Sequence, residues 1–255
     1  MAGAAAVRSP YPPSFYAQTR DGASRSAEVI VPLVLSWVQV ASVVDVGCGT
    51  GAWLAAFRSN GVDDVLGLDG DWVEAGQLCI PQHQFLRQDL ACTVALPLRF
   101  ELAVCMEVAE HLPAARAASL VTDLTRLAPC VLFSAAVPGQ GGTHHINEQP
   151  LSYWSNHFAR RGFAPADLIR PLIWGDDRVE WWYRQNIVFF AAPGHPILAQ
   201  DARLCTANDY IHPAFVHSLL RDLTSPEMTL RRMARAFPEL LHRSLRTRIE
   251  RLVGR

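Results

Sequence analysis

Short apolar runs alternate with longer amphipathic segments along most of the chain. Runs of this length predict strands buried in a sheet, and they occupy residues 43–46, 65–69, 84–87, 100–106, 130–137 and 187–191. Apolar residues at helical spacing lie between several of them, at about 27–38, 52–60 and 114–127. Because alternating strands and helices wind most economically into one open sheet, we predict an α/β fold with a doubly wound, mostly parallel sheet and helices on both faces.

Local signals predict where two of the helices begin. Ser26 is a suitable N-cap for the helix at 27–38, and Pro32 falls near the first turn of that helix, where proline is tolerated. Asp71 and Trp72 are expected to open another helix after the second strand. The indole of Trp72 then either stacks on a bound purine or packs in the core.

The chain divides into three parts by pattern. We predict an N-terminal arm and lid helix at 1–42, a main α/β domain at 43–192 and a helical extension at 193–255. The last 25 residues carry eight arginines against two glutamates, with leucines at helical spacing. This pattern favours a helix that packs or forms a homodimer and keeps a solvated basic face, over an RNA-contacting tail or a membrane-surface helix.

Composition narrows the class of protein. The net charge is −1, so no overall field attracts the chain to nucleic acid or to an anionic membrane. All 23 basic residues are arginine, which excludes Schiff-base chemistry and a lysine general base within this chain. The six cysteines show no metal-binding spacing and are interpreted as buried, reduced thiols. No apolar run approaches the ~20 residues that span a bilayer, and we expect a cytoplasmic protein with no membrane partner.

The first predicted strand runs into a turn that holds three alternating glycines. Gly47, Gly49 and Gly51 remove side chains where the backbone turns sharply, and the helix that follows presents unpaired N–H groups. A small ligand can therefore lie against the main chain, and an adenosine-like ligand suits the site. The glycine spacing alone does not separate one nucleotide-like ligand from another.

Acidic residues follow the second, third and fourth strands, at the edge of the sheet where open α/β folds bind ligands. Asp69 is placed to accept hydrogen bonds from two ribose hydroxyls, and its alternative is a turn aspartate before glycine. Asp89 is placed to accept a hydrogen bond from an exocyclic amine of a base. Glu107 and His111 share a face if their turn is helical, but their spacing does not match the HExxH motif of zinc proteases.

Three segments together resemble the class I S-adenosylmethionine-dependent methyltransferases, and the resemblance covers roughly residues 15–192. They are DVGCGTG at 45–51, GLDG at 67–70 and EVAEHL at 107–112. The resemblance implies a Rossmann-like fold, S-adenosyl-L-methionine as cofactor and S-adenosyl-L-homocysteine as product. The cofactor-binding residues predicted on this basis are Asp45, Gly47, Gly49, Gly51, Asp69, Gly70, Asp89, Leu90 and Glu107. Arg20 or Arg25 is a further candidate, for a ligand carboxylate, with a solvated surface position as the alternative.

A glycine-rich loop with a dense polar cluster follows the fifth strand, at 138–150. Ordering such a loop is costly and packing does not explain it, so we interpret it as a substrate loop. Its HINEQ string, 145–149, resembles a bacterial subgroup of these methyltransferases that carries HxNEQ, and a second polar cluster at 181–186 also fits that subgroup. The substrate-binding residues predicted on this basis are His144, Asn147, Tyr183, Arg184 and Asn186.

Methyl transfer to a hydroxyl requires that a proton be removed, and a histidine is the natural base because its unperturbed pKa is about 6.5. His145 and His111 are the candidates, with Glu148 or Glu107 to orient the imidazole. We expect no metal. The alternative is a divalent ion held by His144, His145, Glu148 and Glu107, which the oxygen-rich coordination of magnesium disfavours.

The sequence therefore predicts a methyltransferase that acts on a small molecule, most simply by O-methylation. The alternatives are N-methylation, transfer of the aminocarboxypropyl group, and a nucleic-acid methyltransferase. A dehydrogenase remains compatible with the glycine turn alone, because Gly47, Gly49 and Ala52 satisfy a small-residue GxGxxG. The sequence after the fourth strand favours the methyltransferase. A binding protein without turnover would not need the polar clusters around His145 and Tyr183.

Overall fold

The computed structural model describes residues 13–200 and 208–224, with side chains for 21–200 and 208–221. These residues fall into two compact units, one ending at His212 and the other beginning at Pro213. The strands are β1 Ser42–Val46, β2 Asp64–Asp69, β3 Phe85–Arg87, β4 Leu102–Met106, β5 Cys130–Ser134, β6 Ala164–Ala166 and β7 Val188–Ala191. The helices are α1 Pro13–Trp37, α2 Ala52–Ser59, α3 Ala117–Leu127, α4 Leu151–Ala159, α5 Arg170–Ile173, α6 Trp181–Asn186 and α7 Pro213–Thr224.

The seven strands form one sheet in the order β3-β2-β1-β4-β5-β7-β6. Neighbours from β3 to β5 pair in parallel, whereas β7 pairs antiparallel with both β5 and β6. The strand order reverses between β1 and β4, so the carboxyl ends of these two strands flank the crevice where such sheets bind ligands. The prediction of a doubly wound, mostly parallel sheet is confirmed.

Alternate residues along each strand face two separate apolar cores. Val43 of β1 packs in a core with α1 and α2, and Val44 packs in a core with α3 and α4 on the other face. This period-two alternation is what a sheet covered on both faces requires. Helices therefore cover both faces, as the sequence pattern predicts. None of the helices in the described ranges is long and apolar enough to cross a membrane.

The structure corrects the predicted start of the first helix. α1 begins at Pro13, so Ser26 is not an N-cap and Pro32 lies in the helix interior rather than in the first turn. Gly22 and Ser26 lie on the same buried stripe as Ile30. Because these two residues are small rather than apolar, hydrophobic periodicity does not reveal the first part of the helix.

The structure also corrects the connection between β2 and β3, which contains no α-helix. Asp71 and Trp72 lie in a turn, and short 3₁₀ turns follow at Ala75–Gln77 and Gln82–Gln84. The Trp72 ring packs on the backbone of Gly70, where an added Cβ would lie 2.3 Å from the ring. The cysteine prediction is partly wrong as well: the described cysteines are free, but Cys79 and Cys92 are exposed.

Some predictions fall on residues outside the described ranges. They concern the arm at 1–12, Cys205 and the basic amphipathic segment within 225–255. The predicted homodimer depends on that segment and stays a prediction. The side chain of Arg20 also lies outside the described side chains.

Replacing Ser26 by alanine should lower the free energy of unfolding by about 1–2 kcal/mol. The fully buried hydroxyl of Ser26 donates to the carbonyl of Gly22 (2.7 Å) and accepts from the backbone N–H of Glu180 (3.0 Å), which precedes α6. Its removal leaves that N–H without its acceptor. Denaturant unfolding measures the loss, with Ser59→Ala as the control because the exposed Ser59 hydroxyl only donates within its own helix. Equal losses in both variants would contradict the prediction.

Candidate functional site

The glycine turn links β1 to α2 at the carboxyl edge of the sheet. All three of its glycines have positive φ: Gly47 at 87°, Gly49 at 53° and Gly51 at 85°. A Cβ on Gly47 would lie 2.3 Å from the Val108 side chain, and one on Gly51 would lie 3.0 Å from Ile80. A Cβ on Gly49 would meet no protein atom within 4 Å. Packing therefore explains the first and third glycines, and only Gly49 borders open space that a ligand can use.

Asp69 ends β2 and closes the turn from the other side. Its Oδ2 accepts the N–H of Gly49 (2.6 Å) and its Oδ1 accepts the N–H of Gly70 (2.7 Å). Burial raises the pKa of Asp69, and these two backbone hydrogen bonds, followed by one from the Trp72 side chain, oppose that rise. Because each carboxylate oxygen accepts more than one hydrogen bond, Asp69 retains acceptor capacity for a ligand hydroxyl.

Asp45 is a buried acid with no internal partner. It lies in β1 beside Gly67 and Val104, it is 1% exposed, and neither carboxylate oxygen has a hydrogen-bond partner among the described residues. Burial, and then the charge of Asp69, raise its pKa well above the usual range. Leaving a carboxylate buried and unpaired is unfavourable. The arrangement suits a bound group that is cationic or donates hydrogen bonds.

The residues predicted to border a base lie after β3. Leu90 is buried, whereas Asp89 is exposed. The carboxylate of Asp89 accepts the N–H of Ala91 (2.9 Å) within its own turn. The turn after β3 thus contains a buried apolar side chain, Leu90, and an acid, Asp89, that is hydrogen-bonded within the turn.

Glu107 follows β4 in a backbone conformation that is unusual for a residue with a side chain, with φ at 55°. Its N–H donates to the carbonyl of Ser134 at the end of β5 (3.0 Å). Its carboxylate accepts from Gln140 Nε2 (2.8 Å) and Asn186 Nδ2 (3.2 Å), which are also bonded to each other. Burial raises the pKa of Glu107. This network joins β4, the loop after β5 and α6 at one point.

Gln140 is a member of this network that sequence reasoning missed. It stands in a glycine-rich string that carries no recognisable spacing of acids or histidines. Its Oε1 also accepts the N–H of Val137 (3.3 Å), so the residue shapes the loop as well as holding Glu107. The available signal was its place in the loop that follows a buried strand.

The two predicted catalytic histidines lie together. The rings of His111 and His145 meet edge to face, with centroids 4.8 Å apart. His145 Nδ1 lies 3.0 Å from Glu148 Oε1, and since a carboxylate only accepts, Nδ1 carries the proton. Burial, followed by the proximity of His145, lowers the pKa of His111 to about 4. His111 is therefore neutral near pH 7.

Glu148 organises the loop as well as His145. Its carboxylate accepts the N–H groups of Gly139 (2.7 Å) and Gly141 (2.7 Å). His144, next to His145, is exposed and has a positive φ of 60°. The glycine-rich loop is thus folded around one carboxylate.

The predicted substrate-binding residues have different surroundings. Tyr183 is buried edge-on against Trp53, with ring centroids 5.2 Å apart, and burial raises the pKa of its phenol. Arg184 forms an ion pair with Asp177 (2.9 Å). Arg25 in α1, a candidate for a ligand carboxylate, forms an ion pair with Glu180 (2.7 Å).

Asn147 and Asn186 lie closer to the acids after β4. The N–H of Asn147 donates to the carbonyl of Glu110 (3.0 Å), and its Oδ1 accepts from Gln149 Nε2 (3.1 Å). Asn186 reaches the carboxylate of Glu107 directly. Asn147 and Asn186 therefore help to hold the residues that follow β4 in place.

Comparison with known proteins identifies the domain. A family described as a methyltransferase domain matches residues 23–129. None of the curated proteins matches the sequence significantly.

Solved structures share the fold at low sequence identity. The sugar N-methyltransferase KedS8 from a Streptoalloteichus species is 14% identical, with 75% of this chain and 98% of that chain covered and a TM-score of 0.55. DesVI of Streptomyces venezuelae is 14% identical, with coverage of 70% and 95% and a TM-score of 0.51. An O-methyltransferase family protein from Burkholderia thailandensis is 12% identical, with coverage of 74% and 67% and a TM-score of 0.50.

The domain match, the strand order with its antiparallel β7, and the glycine turn closed by an acid at the end of β2 agree with one another. The chain contains a methyltransferase domain at residues 23–129.

Proposed function

We propose that the protein transfers the methyl group of S-adenosylmethionine to a hydroxyl oxygen of a small molecule, and that His145 takes up the hydroxyl proton. The pairing of His145 with Glu148, in the loop that follows β5, carries this proposal. A carboxylate on Nδ1 fixes the tautomer in which Nε2 accepts a proton, and it stabilises the imidazolium that results. His111, held neutral by burial, adds no positive charge beside it.

The residues around the glycine turn suit the cofactor. Asp69 retains acceptor capacity for the ribose hydroxyls, and Gly49 leaves open space where the ligand approaches the main chain. The unpartnered carboxylate of Asp45 suits the cationic end of S-adenosylmethionine. Asp89 with Leu90 at the adenine, and Arg20 at the carboxylate, remain predictions.

The cofactor supplies a methyl group on a positively charged sulfur, and the protein has to align an oxygen with it. Alignment of two reactants contributes about 7–11 kcal/mol, and a general base typically 10²–10⁴-fold in rate. Shared hydrogen bonds hold three side chains of the site in place, those of Glu107, Gln140 and Asn186. The exposed loop residues around His144 then contact the substrate.

Gly49→Ala should weaken binding of S-adenosylhomocysteine about tenfold or more, a loss of about 1.4 kcal/mol or more. The added methyl group projects into the space where the cofactor lies. Gly61→Ala is the matched control, because Gly61 also has positive φ and open space around its Cβ position but lies at the far end of α2. Both variants should lose about 1–2 kcal/mol of stability from the left-handed backbone, and only Gly49→Ala should lose affinity by calorimetry. Unchanged affinity in Gly49→Ala would contradict the placement.

Product analysis tests the proposed reaction. The protein is incubated with S-adenosylmethionine labelled with ¹³C in the methyl group and with pools of hydroxylated, carboxylated and amino metabolites. We expect the label to appear in an O-methyl group of a small molecule, with release of S-adenosylhomocysteine. Label on nitrogen, label only in nucleic acid, or release of methylthioadenosine would overturn O-methylation in favour of N-methylation, nucleic-acid methylation or aminocarboxypropyl transfer, respectively.

A further inference from the structure

We propose that Glu110, His111 and His145 bind one divalent transition-metal ion. In the part of the chain that the structure describes, one potential ligand atom from each of these residues lies within 4.8 Å of the other two. Two imidazoles and a carboxylate are the donors of zinc, cobalt, manganese and iron sites. This set differs from the one considered from the sequence, because it contains Glu110 and His111 in place of His144, Glu148 and Glu107.

Glu110 provides the first support for a cation. Its side chain is fully buried, and by hydrogen-bond geometry neither of its carboxylate oxygens has a partner. The carboxyl group of Glu107 lies close by. Two adjacent buried carboxyl groups need either a proton shared between them or a compensating cation, and a bound metal ion supplies that cation.

The outer nitrogens of both histidines provide independent support. His145 Nδ1 donates to Glu148, and the His111 ring is hydrogen-bonded to the backbone of His144. Metal-binding histidines almost always make such a bond to a carboxylate or a carbonyl, which fixes the tautomer and directs the second nitrogen to the metal. Each imidazole here has that outer partner, and the remaining ring nitrogens are the ones we assign to the ion.

The three donor atoms have to draw closer together to bind one ion. Ligand atoms that bind a metal tetrahedrally at about 2.0–2.2 Å lie about 3.3–3.6 Å apart, and the three atoms here lie within 4.8 Å of one another. Glu110 and His111 lie in the 3₁₀ turn Ala109–His111 after β4, and His145 lies on the loop after β5. Backbone hydrogen bonds from Ile146 and Asn147 to the carbonyl of Glu110 (2.9 and 3.0 Å) hold these segments together.

The metal also bears on the proposed function: this part of the inference rests on the proposed O-methylation, and it replaces His145 by solvent as the acceptor of the proton. An ion at this position coordinates the substrate hydroxyl and lowers its pKa. The O–H bond breaks with its proton passing to solvent, the oxygen forms a bond to the methyl carbon with its electron pair, and the C–S bond breaks toward sulfur. His145 is then a ligand, and it is the proton acceptor only in metal-free protein.

Titration of metal-stripped protein with Co²⁺ tests the site through visible absorption and calorimetry. We expect one equivalent to bind, and the midpoint of thermal unfolding to rise. Glu110→Gln, which keeps the shape of the buried side chain, should weaken Co²⁺ binding at least about 100-fold, and Glu148→Gln, which replaces the charged outer partner of His145 by a neutral amide, about 10–100-fold. His83→Gln is the control, since His83 is exposed in the turn Gln82–Gln84. Absence of Co²⁺ binding in wild type, or equal affinity in folded Glu110→Gln or Glu148→Gln, would overturn the site.

The proposed metal site and the proposed reaction can be refuted independently of each other. Co²⁺ absorption reports the site without a substrate, so stoichiometric binding that Glu110→Gln abolishes supports the metal even if the methyl group is found on nitrogen. An O-methylated product formed at the same rate with and without a chelator, by protein that binds no Co²⁺, would support the proposed reaction and overturn the metal.

Discussion

Replacing Asp69 by alanine should weaken the binding of S-adenosylhomocysteine by about 10²–10⁴-fold. Two hydrogen bonds from ribose hydroxyls to a carboxylate contribute about 1.5–3 kcal/mol each, which together correspond to that range of affinity. The variant also loses the bond from Asp69 to the N–H of Gly49, so the glycine turn is held less firmly. Isothermal titration calorimetry measures the change.

Asp71→Ala is the matched control for this prediction. Asp71 lies two residues further along the chain, its side chain is 78% exposed, and it makes only a loose pairing with Arg87 at 3.5 Å. It should bind S-adenosylhomocysteine as wild type does. Absence of binding by wild type, or equal affinity in wild type and Asp69→Ala, would refute the assignment of this acid to the cofactor.

His145→Ala should reduce kcat by about 10²–10⁴-fold while leaving the affinity for S-adenosylhomocysteine unchanged. His145 stands on the loop after β5 and not in the glycine turn after β1, and its Nδ1 is already engaged by Glu148. The loss is expected whether His145 accepts the proton or holds a metal ion. Rates are measured with the acceptor found by product analysis, together with calorimetry of the cofactor product.

Two further variants allow that result to be interpreted. His83→Ala, at an exposed histidine on another turn, should retain the wild-type rate. Glu148→Gln should fall between wild type and His145→Ala, because an amide orients the imidazole without stabilising its positive charge. Full turnover by His145→Ala would remove His145 from the reaction, and a parallel loss of cofactor affinity would indicate a structural role instead.

The cofactor half of the site was predictable because its signals are local. Gly47, Gly49 and Gly51 stand in one turn, and Asp69 ends the next strand along the chain. A glycine turn and an acid at the end of a strand can be recognised in the sequence without knowledge of distant contacts. The structure refines this picture by showing that Gly49 alone borders open space, which follows from the packing of Val108 and Ile80 on the other two.

The reactive half could be predicted only in part, because its geometry depends on long-range contacts. His145 and Glu148 were visible as a cluster, and their pairing is local. The approach of this loop to Glu110, through the N–H groups of Ile146 and Asn147, joins segments about 36 residues apart, and no sequence periodicity encodes it. Gln140 was missed for the same reason. The length of α1 was missed because its first buried positions are small residues.

The direction of β7 has a consequence for how the site and the sheet depend on each other. Because β7 runs antiparallel to β5, its beginning rather than its end meets the carboxyl edge, and Asn186 reaches Glu107 just before the strand starts. The segment that carries Tyr183 and Asn186 continues directly into β7 through Ile187, so its position depends on the position of that strand. Any exchange of that segment has to preserve the register of β7 against β5. Under the proposed function, recognition of the acceptor and completion of the sheet depend on one continuous segment.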